Sequence, residues 1–426
     1  MTSRHPTEAA VDLREKGVPA GAGPVALADT GAQGWNVLRE DLPLPVAVIS
    51  RRALRHNSAW MRDFLTRSGA RIAPHGKTTM APGLFDLQLD DGAWAITVGT
   101  PHQIQVARSF GYGRLVLANQ LVGRAAIDYV MGELARDDAF EFYCLVDSVA
   151  NVAALAKAAR AHGLQRPFTV LVEMGFAGGR TGCRTVAQAL DVARAVKAEG
   201  SALALAGVEG FEGLVKEPAR VEAFLDEIVA LAQTAASQGL FADGRIILSA
   251  GGSAFYDLVV KKFRDALPGR ETMLLIRSGC YITHDSIMYT QAFDALRERD
   301  PALAATDGGL QPALTVWAYV QSRPEAEKAI LCLGKRDISY DDLPVPTVWF
   351  RPGSDMTAPA AMAEGHVVTG LNDQHCHLKV PAASPLQVGD MVAFGISHPC
   401  LTFDKWRVIH LVDDDLSVVG SIRTYF

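Results

Sequence analysis

Arg71-Ile72-Ala73-Pro74-His75-Gly76-Lys77-Thr78-Thr79-Met80 is the stretch from which the rest of the chain can be read. A short apolar run, 71–73, meets Pro74, and a helical pattern resumes after Pro82. Lys77 therefore stands just beyond a strand end, where parallel-sheet enzymes place their reacting groups. Buried there beside a cofactor ring, its ammonium would be desolvated and its pKa lowered, so that the free amine could form a Schiff base with a carbonyl. The plain alternative is a loop lysine pointing at water.

Outward from Lys77 the chain sets up a rhythm. Apolar strand-like runs recur at 94–98, 114–118, 141–147, 168–174, 203–207, 245–249 and 273–276, with amphipathic segments such as 149–162 and 185–199 between them. Buried strands alternating with helices imply parallel pairing. With the run at 71–73 they make eight units, the number that closes a (β/α)8 barrel. An open doubly wound sheet usually carries Gly-x-Gly-x-x-Gly after its first strand, and none stands there. After about Pro301 the pattern becomes strand-like runs at 313–323, 329–333, 345–350, 366–380, 391–396, 406–412 and 417–425, separated by turn residues. That pattern predicts an all-β domain. The expected organisation is an N-terminal arm over 1–44 with a helical suggestion at 9–16, a barrel over 45–300 that opens on the first convincing strand at 45–49, and a β domain over 301–426. The arm is expected to be loosely held and to contribute to the β domain.

A chain of 426 residues exceeds what one core usually holds, consistent with two domains. Its formal net charge is −6 and it has no basic run, which argues against a nucleic-acid partner. No apolar run approaches the roughly 20 residues that span a bilayer, and the N-terminus lacks a secretory pattern, so a cytoplasmic protein without a membrane partner is expected. The six scattered cysteines read as reduced thiols available for burial or ligation.

Four stretches carry chemistry. Ser249-Ala250-Gly251-Gly252-Ser253 follows the seventh strand, where small residues and a helix N-terminus suit a phosphate, although a Gly-Gly turn is commonly only a turn. Glu173 to Gly182 is a glycine-dense loop with Arg180 at its tip, suited to a carboxylate or a cofactor ring. Gly279-Cys280-Tyr281, with Asp285 close behind, offers the Tyr281 hydroxyl after the eighth strand. His398-Pro399-Cys400 on an extended segment would put imidazole and thiolate on one face, a pair that suits zinc. His375-Cys376-His377 repeats the spacing, and whether either histidine joins one closed site with His398 stays open.

Together these stretches resemble the pyridoxal-phosphate enzymes with an alanine racemase-type barrel, within them the D-serine dehydratase and D-threonine aldolase group. The resemblance runs from about Pro45 to the C-terminus. Pro74 to Thr78 is similar to the group's Schiff-base lysine motif, Gly179 to Gly182 to its Arg-x-Gly loop, Ser249 to Ser253 to its phosphate loop, Gly279 to Tyr281 with Asp285 to its Gly-Ser-Tyr segment, and His398 and Cys400 to its metal pair. The chain departs from it at 207–213, where a tyrosine near Phe211 and a more neutral residue at Glu209 would be expected, and by an insertion over about 294–310.

The resemblance implies that pyridoxal 5'-phosphate is held by Lys77, His75, Arg180, Ser249, Gly251, Gly252, Ser253 and Tyr281. It implies a divalent metal, zinc, on His398 and Cys400, a D-amino acid substrate, and a homodimer with its active site near the interface. The expected reaction is dehydration of D-serine, D-threonine or a related 3-hydroxy-D-amino acid to a keto acid and ammonia. The alternatives are a D-threonine aldolase, whose group tends to carry aspartate where this chain has Cys400, and a non-catalytic pyridoxal-phosphate carrier, which would lack the β domain.

Overall fold

The computed structural model describes residues 10–21, 23–300 and 308–426. It comprises two compact units, one of Arg62–Lys77 and Gln88–Gly279, the other of Met1–Met61, Thr78–Leu87 and Cys280–Phe426.

The first unit is a (β/α)8 barrel. Its strands are Arg71–Ile72, Ile96–Val98, Arg114–Gln120, Glu141–Val146, Phe168–Met174, Leu203–Gly210, Ile246–Ala250 and Thr272–Ile276. From Ile96–Val98 onward each pairs in parallel with the next in the chain, and Arg71–Ile72 pairs in parallel with Thr272–Ile276. A parallel bridge between His75 and Thr97 closes the ring, with Thr97 N–H donating to the Pro74 carbonyl over 2.9 Å. Strand burial is continuous, as Ile246–Ala250 illustrates with all five residues buried, because helices cover the outer face and side chains fill the inner one. The interior contains Ala73, Ala95, Val116, Leu145, Leu171, Ile247, Met273 and Leu275. Threonine or serine hydroxyls at Thr100, Ser148 and Thr185 cap the helices Pro101–Ser109, Val149–Ala161 and Val186–Ala198. These caps end the strand-to-helix loops and fix where the chain turns at the barrel mouth.

The second unit is built on a ten-stranded sheet. The strand Val46–Ser50, which the sequence reading puts at the start of the barrel segment, lies in this sheet instead. It pairs antiparallel with Leu314–Glu325 and parallel with Val408–Val412. An apolar run buried on both faces has the same signature in either sheet, so periodicity could not assign it. Residues 366–380, expected as one strand, form two antiparallel strands, Val367–Leu371 and Cys376–Lys379, because the polar run Asn372-Asp373-Gln374-His375 turns between them. The described part of the N-terminal arm is not helical at 10–16. Val11 bridges Val25, and Val11 and Val18 are buried in one core with Trp317 and Phe350. The Glu15 carboxylate also pairs with Arg423. Residues 1–9 of the expected arm and 301–307 of the expected insertion lie outside the described residues. Among the described residues no helix is long and apolar enough to cross a membrane.

Candidate functional site

The barrel strand ending at Ile72 delivers Lys77 on a single 3-10 turn, Gly76–Thr78. Its side chain is exposed, so the expectation of a desolvated amine is not met in the chain by itself. The lysine side chain stands open to solvent instead. Gly99 lies beside it, where a Cβ would make ordinary contact at 3.6 Å from His75 Cε1 and 3.8 Å from Lys77 Cδ. His75 Nδ1 is sealed from solvent and has no hydrogen-bond partner. Burial, then the charges of Lys77, Arg277 and Arg180, hold the His75 pKa well below 6.5, so the ring is neutral.

Arg180 is carried by the loop after the fifth strand. Met174 bridges Cys183 at the loop base, where Gly175 N–H donates to the Cys183 carbonyl over 2.8 Å. Gly182, at φ +91°, packs so closely on this base that a Cβ would fall 2.5 Å from the Gly175 nitrogen. The loop tip brings the Arg180 guanidinium 4.5 Å from the centre of the Phe211 ring. Glu173, buried below, accepts from Gln120 Nε2 and from Thr181 Oγ1, and burial raises its pKa.

The seventh and eighth strands supply the third group. Gly251 and Gly252 N–H groups converge on one anion, as the phosphate reading requires, but that anion is Glu212, whose two oxygens accept over 3.0 and 2.8 Å. These donors are therefore engaged, and the hydroxyls of Ser253 and Ser278, 3.1 Å apart, are the polar pair left beside them. Ser249 does not open to a ligand. It is fully buried and its Oγ accepts from Arg277 Nε over 3.1 Å. Arg277 also donates to Glu209 and to the Gly210 carbonyl. Burial pushes the Glu209 carboxyl up, to about 8, while the Arg277 guanidinium pulls the other way. Glu209 Oε2 is buried with no partner.

The barrel residues fit pyridoxal phosphate. Lys77 offers an accessible amine, the cations Lys77, Arg180 and Arg277 act together on His75, and His75 Nδ1 and Glu209 Oε2 are two sealed polar atoms with nothing to bond. Orphaned buried polar atoms are uncommon and suit a bound polar ring.

The β unit holds the second set. Only His398 is extended, at φ −152° and ψ 112°; Pro399 begins the short helix Pro399–Phe403 and carries Cys400 into it, a usual place for proline. The extended i, i+2 geometry expected from the sequence is thus replaced by a helix start, yet the two side chains still meet. A hydrogen bond to Cys400, reinforced by one to Asp341, raises the His398 pKa to about 9. Contacts to Cys280, His398 and Thr78 lower the Cys400 thiol to about 4 against its burial. His398 Nδ1 donates to Asp341 Oδ2 over 2.6 Å, and Ser397 Oγ steadies the other carboxylate oxygen over 2.9 Å. A carboxylate on one ring nitrogen and a thiolate near the other is a donor set that fits zinc.

The remaining expected residues lie in the β unit. Tyr281 is 3% exposed in the turn Cys280–Ile282. Asp285 caps the following helix, accepting from Ile287 and Tyr289 N–H over 2.8 and 3.0 Å, and burial lifts its carboxyl to about 6. Cys376 is a core thiol, His377 bonds Asn372 Oδ1 over 2.6 Å, and His375 is exposed. Among the described residues no three His, Cys, Asp or Glu side chains already surround one point. Sequence reasoning missed Arg277, Glu212 and Asp341. Arg277 had a signal, a charge ending the apolar strand Thr272–Ile276; Asp341, in a polar loop, had none.

The family model described as alanine racemase, N-terminal domain, matches residues 49–264, half of the chain, and that described as putative serine dehydratase domain matches 313–412. A 3-hydroxy-D-aspartate aldolase of Paracoccus denitrificans (strain Pd 1222) is 25% identical over 227 residues, 51% of this chain and 56% of that one. The chain thus spans about half the length of the curated relatives it matches. A D-threonine aldolase from Filomicrobium marinum superposes with a TM-score of 0.72 at 21% identity, covering 92% of this chain and 97% of that one. D-threo-3-hydroxyaspartate dehydratase from Delftia sp. HT23 does so with 0.67 at 21%, covering 92% and 99%, and a cysteine variant of a protein of that name is known in a metal-free form. With Lys77 at the end of the first barrel strand and the dehydratase-type β unit following, the chain belongs to the alanine racemase N-terminal domain family, in the D-serine dehydratase and D-threonine aldolase-like group of pyridoxal-phosphate enzymes.

Proposed function

We propose that the chain is a pyridoxal-phosphate- and zinc-dependent lyase that dehydrates 3-hydroxy-D-amino acids, such as D-serine, D-threonine or D-3-hydroxyaspartate, to a keto acid and ammonia. The observation that carries this reading is the contact of His398 with Cys400 under Asp341, a nitrogen and sulfur site of the kind that takes a Lewis-acid metal, in a chain whose barrel presents Lys77 at its rim.

Lys77 would hold the cofactor carbonyl, and its Nζ is placed to accept the proton from the substrate's α carbon. Bound pyridoxal phosphate supplies an electron sink for the charge left there. Arg180 holds the substrate carboxylate as a fixed cation, and neutral His75 offers Nδ1 as an acceptor without adding charge. Ser253 and Ser278 hydroxyls bind phosphate oxygens, while Glu212 braces the Gly251-Gly252 turn. His398 and Cys400 would hold the metal, which would supply Lewis acidity to make a β-hydroxyl a better leaving group. A cytoplasmic homodimer goes with this reading, and light scattering on the purified chain tests the dimer.

The test is product analysis with D-serine, D-threonine and D-3-hydroxyaspartate. Ammonia with pyruvate, 2-oxobutanoate or oxaloacetate supports the proposal. Glycine with an aldehyde replaces it by the carbon-carbon cleavage that the names of the Paracoccus and Filomicrobium proteins describe. Chelation should stop either reaction while the protein stays yellow.

A further inference from the structure

Cys280 is 5% exposed, in the turn Cys280–Ile282. A buried cysteine is ordinarily a small hydrophobe, as Cys144 and Cys376 are here, both fully buried. Cys280 has polar company instead. Its Sγ lies 3.9 Å from Cys400 Sγ and 3.8 Å from Thr78 Oγ1, and the Tyr289 hydroxyl bonds it as well. The Thr78 hydroxyl is also 3.5 Å from Cys400 Sγ, so one hydroxyl contacts both sulfurs.

Resting on the metal reading above, we propose that Cys280 is the third protein ligand, making a Cys2His zinc site of Cys280, His398 and Cys400. Two thiolates on a tetrahedral zinc, each at about 2.3 Å, stand about 3.8 Å apart, which is the spacing of these sulfurs. Three protein ligands with the fourth position open is also the usual number for catalytic zinc, where His398 and Cys400 alone would leave two. Cys400 already contacts both of the others, so a metal needs only to draw His398 and Cys280 together around it. Binding forms two metal-sulfur bonds and one metal-nitrogen bond, and any proton still on a thiol is released to water. Thr78 and Tyr289 then donate to the thiolates, and Asp341 holds Nδ1 of His398 so that Nε2 faces the metal.

The test loads the full-length, cofactor-bound chain with Co2+ and with Zn2+ under a phosphine reductant. Wild type should bind one Co2+ with a sulfur-to-metal charge-transfer band of two-thiolate strength, and zinc X-ray absorption should show two sulfurs at about 2.3 Å. C280S should halve the band and weaken affinity at least tenfold, with unchanged circular dichroism, and C280A should do the same. A C280S or C280A protein with the wild-type band, together with a single sulfur on zinc in the wild type, overturns Cys280 as a ligand and leaves His398 and Cys400 standing. If C400A and H398A also bind Co2+ as wild type does, or if wild type binds none, the underlying metal reading falls with it.

Discussion

Arg277 and Glu209 face each other inside the barrel unit, the guanidinium donating to the carboxyl with 6% and 1% of their surfaces exposed. Burial raises the Glu209 carboxyl from its ordinary 4.5 to about 8. A carboxyl raised in the folded state favours folding fully below its unfolded value, and that contribution is lost as pH rises through the folded one. Wild-type stability should therefore fall between about pH 4.5 and pH 8, by on the order of a few kcal/mol. Urea unfolding of Glu209→Gln, which has no such proton to lose, should show a flatter profile over this window. Parallel profiles for the two proteins would refute the assignment.

Asp341→Asn tests the orienting role of the carboxylate on His398. An amide oxygen can still accept from Nδ1 but carries no charge, so metal affinity should fall about 10- to 100-fold while pyridoxal-phosphate retention stays as in wild type. Competitive titration with a chelating dye measures the first and absorbance after gel filtration the second. Unchanged metal affinity would remove Asp341 from the site.

Gly182→Ala should damage the Arg180 loop more than Gly178→Ala. Both glycines have positive φ, +91° and +78°, but a Cβ at 182 would strike the Gly175 nitrogen whereas at 178 nothing lies within 4 Å. The second variant should lose about 1 kcal/mol for its backbone conformation, the first at least twice that and cofactor affinity as well. Thermal melts and a pyridoxal-phosphate titration separate them; equal losses would mean that the loop base does not depend on this contact.

The fold was legible because the decisive signal is periodic. Runs such as Phe168–Met174 are largely apolar, and eight such runs alternate with helices, three of them capped by Thr100, Ser148 and Thr185. Val46–Ser50 was legible as a strand but not as a member of the second sheet, since burial on both faces looks alike in either. Lys77, Arg180 and the His398-Cys400 pair were legible because unusual residue types stand at strand ends or close spacing. Glu212 and Asp341 act through contacts 39 and 57 residues away in the chain, and no local pattern carries such a partner.

Glu212→Ala leaves the buried Gly251 and half-buried Gly252 N–H groups without their acceptor, at a cost of about 1–3 kcal/mol for each that stays buried and unpaired. If Glu212 braces the turn, pyridoxal-phosphate affinity should drop in this variant. Tighter binding instead would mean that the carboxylate competes with the phosphate for those two donors.

The attachment of the cofactor is tested most directly by borohydride reduction of the purified yellow protein, followed by peptide mapping. The account predicts a phosphopyridoxyl group on Lys77 alone, and a colourless Lys77→Ala protein with wild-type circular dichroism. Label on another lysine, or a protein that takes up no pyridoxal phosphate, would contradict it.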